Sequence, residues 1–230
     1  ARIRVILNGL DHARFHPREA GQARAKLADS IPPKPFLLYV ARLEHPGKNH
    51  VRLIEAFEDF KRRSGSDWQL ALGGSDWHGA EIIHQRIARS PFAQDIRALG
   101  FVADEHLPDL YTAASLFVYP SLYEGFGMPP VEAMACACPV ICSDRGSLGE
   151  VAGGAARIID PEKSESISTA LLDLYRSATE REEWIKKGLK RAGELSWTRA
   201  ARETLEVYAR TARPSSAAEG KAAARAGVPR

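Results

Sequence analysis

The chain has 230 residues, 44% apolar and 27% charged, with a formal net charge of +3, which is enough to bury one full core and ordinary for a globular protein. No apolar run reaches membrane-spanning length, the N-terminus lacks a signal-peptide pattern, and three clustered cysteines, Cys136, Cys138 and Cys142, make no secreted disulfide framework, so a reducing, cytoplasmic setting is the expectation. The charge argues against a nucleic-acid partner, because residues 211–230 carry Arg213, Lys221, Arg225 and Arg230 against Glu219 alone, a net of +3 that leaves residues 1–210 balanced.

The segment VILNGLDHARFHP (5–17) holds one short apolar strand, an Asn-Gly turn and irregular polar chain. Residues 1–34 therefore read as a linker arriving from something upstream. FLLYVAR (36–42) is a buried strand, and NHVRLIEAFEDFKRR (49–63) places Leu53, Ile54, Phe57 and Phe60 at helical spacing. Strand 68–74, helix 79–90, strand 96–101, helix 104–114 and strand 115–120 follow. A helix near 130–137 leads to strand 139–143, then a helical turn at 147–152 and a strand at 155–160. The end is helical over 163–177, 180–194 and 197–211. The tail, 212–230, is Ala/Ser/Gly-rich and expected to be solvated, with an acidic membrane surface at the inner face as the alternative partner.

Short strands separated by helices predict a doubly wound, Rossmann-like parallel sheet, with ligands outside the carboxyl ends of the strands. The chemistry-bearing residues fall there: Arg42 and Lys48, Gly73 and Gly74, Gly100 to Val102, Ser121 to Gly127, and Ser143 to Gly146.

The most informative stretch is SLYEGFGMPPVEAMA (121–135). Gly125 and Gly127 permit a tight turn and close ligand approach. Pro129 and Pro130 suit the start of a helix, whose N-terminus and preceding amides attract a phosphate. Glu124 sits on the turn and Glu132 is expected in the first helical turn. Carboxylates accept hydrogen bonds from the paired hydroxyls of a sugar or ribose. Helix stabilisation and a solvated loop are the plainer roles for Glu132 and Glu124. A hydrolase pair would need two carboxylates across a sugar ring but no phosphate-binding amides, so a site for a leaving phosphate is the better fit. Arg42 and Lys48 suit a diphosphate, on which negative charge would grow during group transfer; two solvated loop cations are the alternative.

The cysteines read as small structural residues, since zinc would need a fourth ligand. The histidines show no metal-binding spacing and read as surface residues, with His45 and His78 near strand ends. Trp68, Trp77, Trp184 and Trp197 read as packing residues, with Trp77 also in reach of a ligand.

Together these residues resemble the C-terminal, donor-binding half of a retaining glycosyltransferase of the GT-B fold, in the large family four group. The pieces are NG-x-D-x-x-x-F at Asn8, Gly9, Asp11 and Phe15; the Arg42/Lys48 pair; the Gly73–Gly74 and Gly100-Phe101-Val102 turns; the E-x7-E spacing of Glu124 and Glu132; Pro139-Val-Ile; and Ser143-Asp144-x-Gly146. The resemblance implies metal-independent transfer of a hexosyl group, mannosyl favoured, from a GDP- or UDP-hexose to a glycan or lipid-linked acceptor. It implies that Arg42 and Lys48 bind the donor diphosphate, and that Glu124 with Gly125, Phe126, Gly127 and Met128 holds the sugar. It further implies that Glu132 holds the ribose and that the base packs near Phe101 and Val102, while Gly74 allows close ligand approach. Arg42, Lys48 and Glu124 are then the residues at the reacting centre. The donor domain would cover 35–196, with 197–211 crossing back towards an N-terminal acceptor domain. A non-catalytic nucleotide-sugar module and a GT-B nucleotide-sugar epimerase are the alternative functions.

Overall fold

The computed structural model describes residues 3–212. Most of the tail expected at 212–230 lies outside the described residues. The described residues form two compact units, residues 10–194 and a smaller one of residues 3–9 with 195–212.

The larger unit is built on a six-stranded sheet of β1 (Phe36–Val40), β2 (Gln69–Gly73), β3 (Ile96–Gly100), β4 (Leu116–Tyr119), β5 (Val140–Ser143) and β6 (Arg157–Ile159). The order is β3-β2-β1-β4-β5-β6, and every pairing is parallel. β4 and β5 are buried throughout and β1 almost so, as expected where helices cover both faces. The strand order reverses between β1 and β4, where Leu37 pairs with Leu116 and Leu38 with Phe117. That reversal opens a crevice at the carboxyl edge.

α1 (Ala20–Lys26) precedes the sheet; α2 (His50–Ser64), α3 (Ala80–Ala88), α4 (Leu107–Ala113), α5 (Met128–Ala135) and α6 (Leu148–Ala152) connect successive strands; and α7 (Ser164–Arg176) and α8 (Ala178–Glu194) follow β6. α2 packs on α7, α5 on α8 and α1 on α4. Leu53, Ile54, Phe57 and Phe60 of α2 are fully buried, each contributing about 2 kcal/mol by removal from water. Among the described residues no helix is long and apolar enough to cross a membrane.

Two expectations for the first 34 residues change. Residues 5–8 form no strand; the apolar burst is too short to be buried, and Val5 is exposed. The 1–34 stretch also contains α1, which apolar periodicity did not reveal because the helix is short and alanine-rich. Its start is set instead by Glu19, whose carboxylate accepts from Gly21 N and Gln22 N. Phe15, Leu27 and Ile31 are buried, and Arg18 and Lys26 both reach the Asp109 carboxylate on α4. Burial alone would raise that carboxyl; the two cations outweigh it and hold it below the ordinary range.

The smaller unit contains α9 (Trp197–Thr211), capped by Ser196 accepting from Arg199 N at 3.3 Å. Arg4 pairs with Glu206 at 3.0 Å and Glu203 at 3.7 Å. Trp197 is 57% exposed, against the packing role expected for it.

Candidate functional site

The loops after β1 and β4 meet across the crevice. Lys48 Nζ donates to Glu124 Oε1 at 2.7 Å, joining them through two largely enclosed side chains. Tyr119 Oη donates to the same oxygen at 2.8 Å. The backbones are tied as well. Leu122 N donates to Gly47 O at 3.0 Å, and Asn49 Nδ2 donates to Pro120 O at 2.9 Å and Pro161 O at 2.7 Å. Tyr39 Oη holds Lys48 O at 2.7 Å. From the loop after β5, Ser147 N reaches Glu124 O at 3.4 Å, while Ser143 Oγ donates to Ser121 O at 2.6 Å. Glu124 and Lys48 are therefore fixed by contacts on several sides.

α5 begins at Met128 after Gly127, which has φ +86°. Pro129 and Pro130 carry no N–H, so two of the amides that usually make a helix N-terminus an anion site are absent. The donors left to an anion are those of Gly125, Phe126, Gly127 and Met128. Glu132 is the fifth residue of α5, not in the first turn as expected, so the helix dipole does not account for it. It is largely enclosed and accepts from Tyr111 Oη at 2.8 Å. Burial pushes its carboxyl up, while the Tyr111 hydrogen bond and the Arg14 charge pull it down less strongly.

Arg42 is more exposed. Its guanidinium lies 4.7 Å from the Trp77 ring centre and pairs with Glu44 at 3.3 Å. Trp77, expected to pack, is 56% exposed and carries that cation. Gly74 has φ +145°, and a side chain there would collide with Ala41 O, so backbone crowding accounts for this glycine. Phe101 is 76% exposed. Val102 lines, with Leu27, Ile31, His106 and Leu110, an apolar cavity of about 190 Å³.

His50, read as a surface residue with the other histidines, is 1% exposed. Its ring sits 4.7 Å from Tyr39, and burial lowers its pKa from 6.5 to about 4. The three cysteines are free and buried. Burial pushes Cys136 and Cys142 up to about 12 and Cys138 higher still. Among the described residues no group of three or more His, Cys, Asp or Glu side chains is placed to hold a metal ion.

A parallel, doubly wound sheet in this order, flanked by helices and followed by a helical C-terminal stretch, is the architecture of one half of a GT-B fold. The chain belongs to the family Glycosyl transferases group 1, whose profile matches residues 25–191. It is 38% identical to the O-antigen chain mannosyltransferase B of Escherichia coli over 173 residues, 75% of this chain and 45% of that protein. It is 29% identical to the D-inositol 3-phosphate glycosyltransferase of Rhodococcus erythropolis over 217 residues, 92% of this chain and 49% of that protein. The chain thus spans about half the length of these curated relatives. Among solved structures, sucrose-phosphate synthase from Thermosynechococcus elongatus superposes with a TM-score of 0.79 at 27% identity, over 90% of this chain and 52% of that one. The C-terminal domain of a glycosyl transferase group 1 family protein from Francisella tularensis shares the fold, with a TM-score of 0.70 at 24% identity over 81% of this chain and 97% of that one.

Proposed function

We propose that this chain is the donor-binding half of a retaining glycosyltransferase that moves a hexosyl group from a nucleoside diphosphate sugar to a glycan or lipid-linked acceptor. The observation that carries the reading is the Lys48–Glu124 contact of 2.7 Å, which bridges the two loops at the point where the strand order reverses. A cation for phosphate and a carboxylate for hydroxyls stand side by side there. The name of the Escherichia coli relative supports mannosyl as the group and GDP-mannose as the first donor to test.

In this reading Lys48 and Arg42 neutralise the leaving diphosphate as the bond from the anomeric carbon to the phosphate oxygen breaks. The acceptor oxygen forms the new bond on the same face, and its proton passes to the departing diphosphate. Glu124 and the Gly125, Phe126, Gly127 and Met128 amides hold the sugar, and Glu132 holds the ribose. Gly74, Phe101 and Val102 flank the base, with the exposed Phe101 ring as a stacking surface. The acceptor would be presented by a further domain.

Calorimetric titration with GDP, UDP, GDP-mannose and UDP-glucose tests this. Wild type is expected to bind one nucleotide series. Lys48→Ala and Glu132→Ala should each weaken that binding by about tenfold or more, the loss of a charge-assisted contact. A folded wild-type chain that binds none of the four ligands would sink the reading.

A further inference from the structure

Each carboxylate of the E-x7-E pair is gripped by a buried tyrosine. Tyr119 Oη donates to Glu124 Oε1 and Tyr111 Oη to Glu132 Oε2, both at 2.8 Å. The two phenols belong to one chain of rings. Tyr111 meets Phe117 edge-on at 5.3 Å, Phe117 stacks on Tyr119 at 5.8 Å, and Tyr119 meets Tyr39 edge-on at 5.4 Å. Tyr39 in turn donates to Lys48 O at 2.7 Å. All four rings are buried.

A buried phenol requires an acceptor, and backbone carbonyls commonly supply it. Here Tyr111 and Tyr119 instead donate to the two side chains already assigned to the ligand. One oxygen of each glutamate is thereby occupied: Glu124 Oε1 by Tyr119 and Lys48, and Glu132 Oε2 by Tyr111. Among the described residues no hydrogen bond reaches the other oxygen of either group. A carboxylate anchored through one oxygen cannot rotate freely, so its second oxygen presents a fixed acceptor. Burial and the adjacent carboxylates push both phenols well above the ordinary tyrosine range, so they remain protonated donors at every working pH.

We propose that Tyr119 and Tyr111 are positioning residues for donor recognition, turning Glu124 Oε2 towards the hexose hydroxyls and Glu132 Oε1 towards the ribose hydroxyls. This rests on the functional reading above and assigns a separate part of the ligand to each tyrosine.

The test is calorimetry on Tyr119→Phe and Tyr111→Phe with GDP, UDP, GDP-mannose and UDP-glucose, with thermal melts as the check on folding. Each change removes one oxygen and keeps the ring contacts. Tyr119→Phe is expected to weaken the nucleotide sugar about tenfold while leaving the nucleoside diphosphate within about twofold. Tyr111→Phe is expected to weaken both by a similar factor, about tenfold. In a Glu124→Ala background Tyr119→Phe should add nothing, and in a Glu132→Ala background Tyr111→Phe should add nothing. A packing role alone would lower the melting temperature and affect every ligand in every background. Variants that bind like wild type, or whose losses persist without the partner glutamate, overturn the inference and leave the functional reading standing. A variant that does not fold marks its tyrosine as structural and overturns the inference for that residue. A wild-type chain that binds no nucleotide overturns both.

Discussion

Burial holds the Glu132 carboxyl above the ordinary carboxylate value of 4.5, against the opposing pull of Tyr111 and Arg14. A raised native pKa means that the native state keeps this proton to higher pH than the unfolded chain does. The associated stability is full below the unfolded value and is lost as pH rises through the native one. At neutral pH the ionised form is therefore a cost to the fold. Glu132→Gln keeps an acceptor for Tyr111 and removes the charge. It is expected to melt roughly 2 °C above wild type at pH 7, with the gain fading as pH falls through the raised native value of Glu132. Thermal melts across that range check the sign; an unchanged or lower melting temperature at pH 7 would show that the charge is not costly. The glutamate spacing was legible in the sequence, but the tyrosines were not. An aromatic within LFVY (116–119), or on the apolar side of a short helix, reads as core, and both residues are indeed buried. Only the fold shows where their hydroxyls end.

Loop geometry at the carboxyl edge depends on how closely neighbouring elements approach. Gly74 follows β2 with φ +145°, and its N–H donates to Gly100 O at 2.8 Å while its missing side chain makes room for Ala41 O. Gly74→Ala strains the backbone and collides with the residue just before Arg42. It should destabilise the fold by about 3 kcal/mol, measured as a lower denaturant midpoint at unchanged slope. Nucleotide affinity should fall too, since the displaced loop carries Arg42. A midpoint within error of wild type would show that the β1 loop gives way freely. In sequence a glycine after a strand looks the same whether a ligand or another backbone comes close, so the crowding by Ala41 is legible only in the fold. The strands themselves were legible because each is a short apolar run between turn-forming residues, and every expected sheet strand from residue 36 onward is present with shorter ends. α1 was not, because Ala20, Ala23 and Ala25 give little apolar contrast and its Glu19 cap is not one of the residues that usually mark a helix start.

Across the unit of residues 10–194, stability should respond to acid in two stages. His50 is buried beside Tyr39 with its pKa lowered to about 4 from 6.5, so the unfolded chain takes up its proton well before the native state does. A depressed native pKa gives stability that is present above pH 6.5 and lost as pH falls towards 4. The loss over that window is on the order of 3 kcal/mol, about one proton's worth. Below it, Asp109, Asp59 and Glu58 join. Burial raises each, but hydrogen-bonding and charged partners hold all three below their ordinary values, so their contribution is lost only as the carboxylates protonate. Glu132 acts in the opposite direction, which makes the Glu132→Gln background the cleaner one for isolating the histidine. Urea denaturation of Glu132→Gln from pH 7 to pH 4 should show the unfolding free energy falling towards a slope of about 1.4 kcal/mol per pH unit. Adding His50→Phe, which keeps a ring against Tyr39, should flatten that first stage and leave the second intact. If the first stage survives the histidine's removal, the uptake belongs to another group and His50 is not the source of the acid sensitivity.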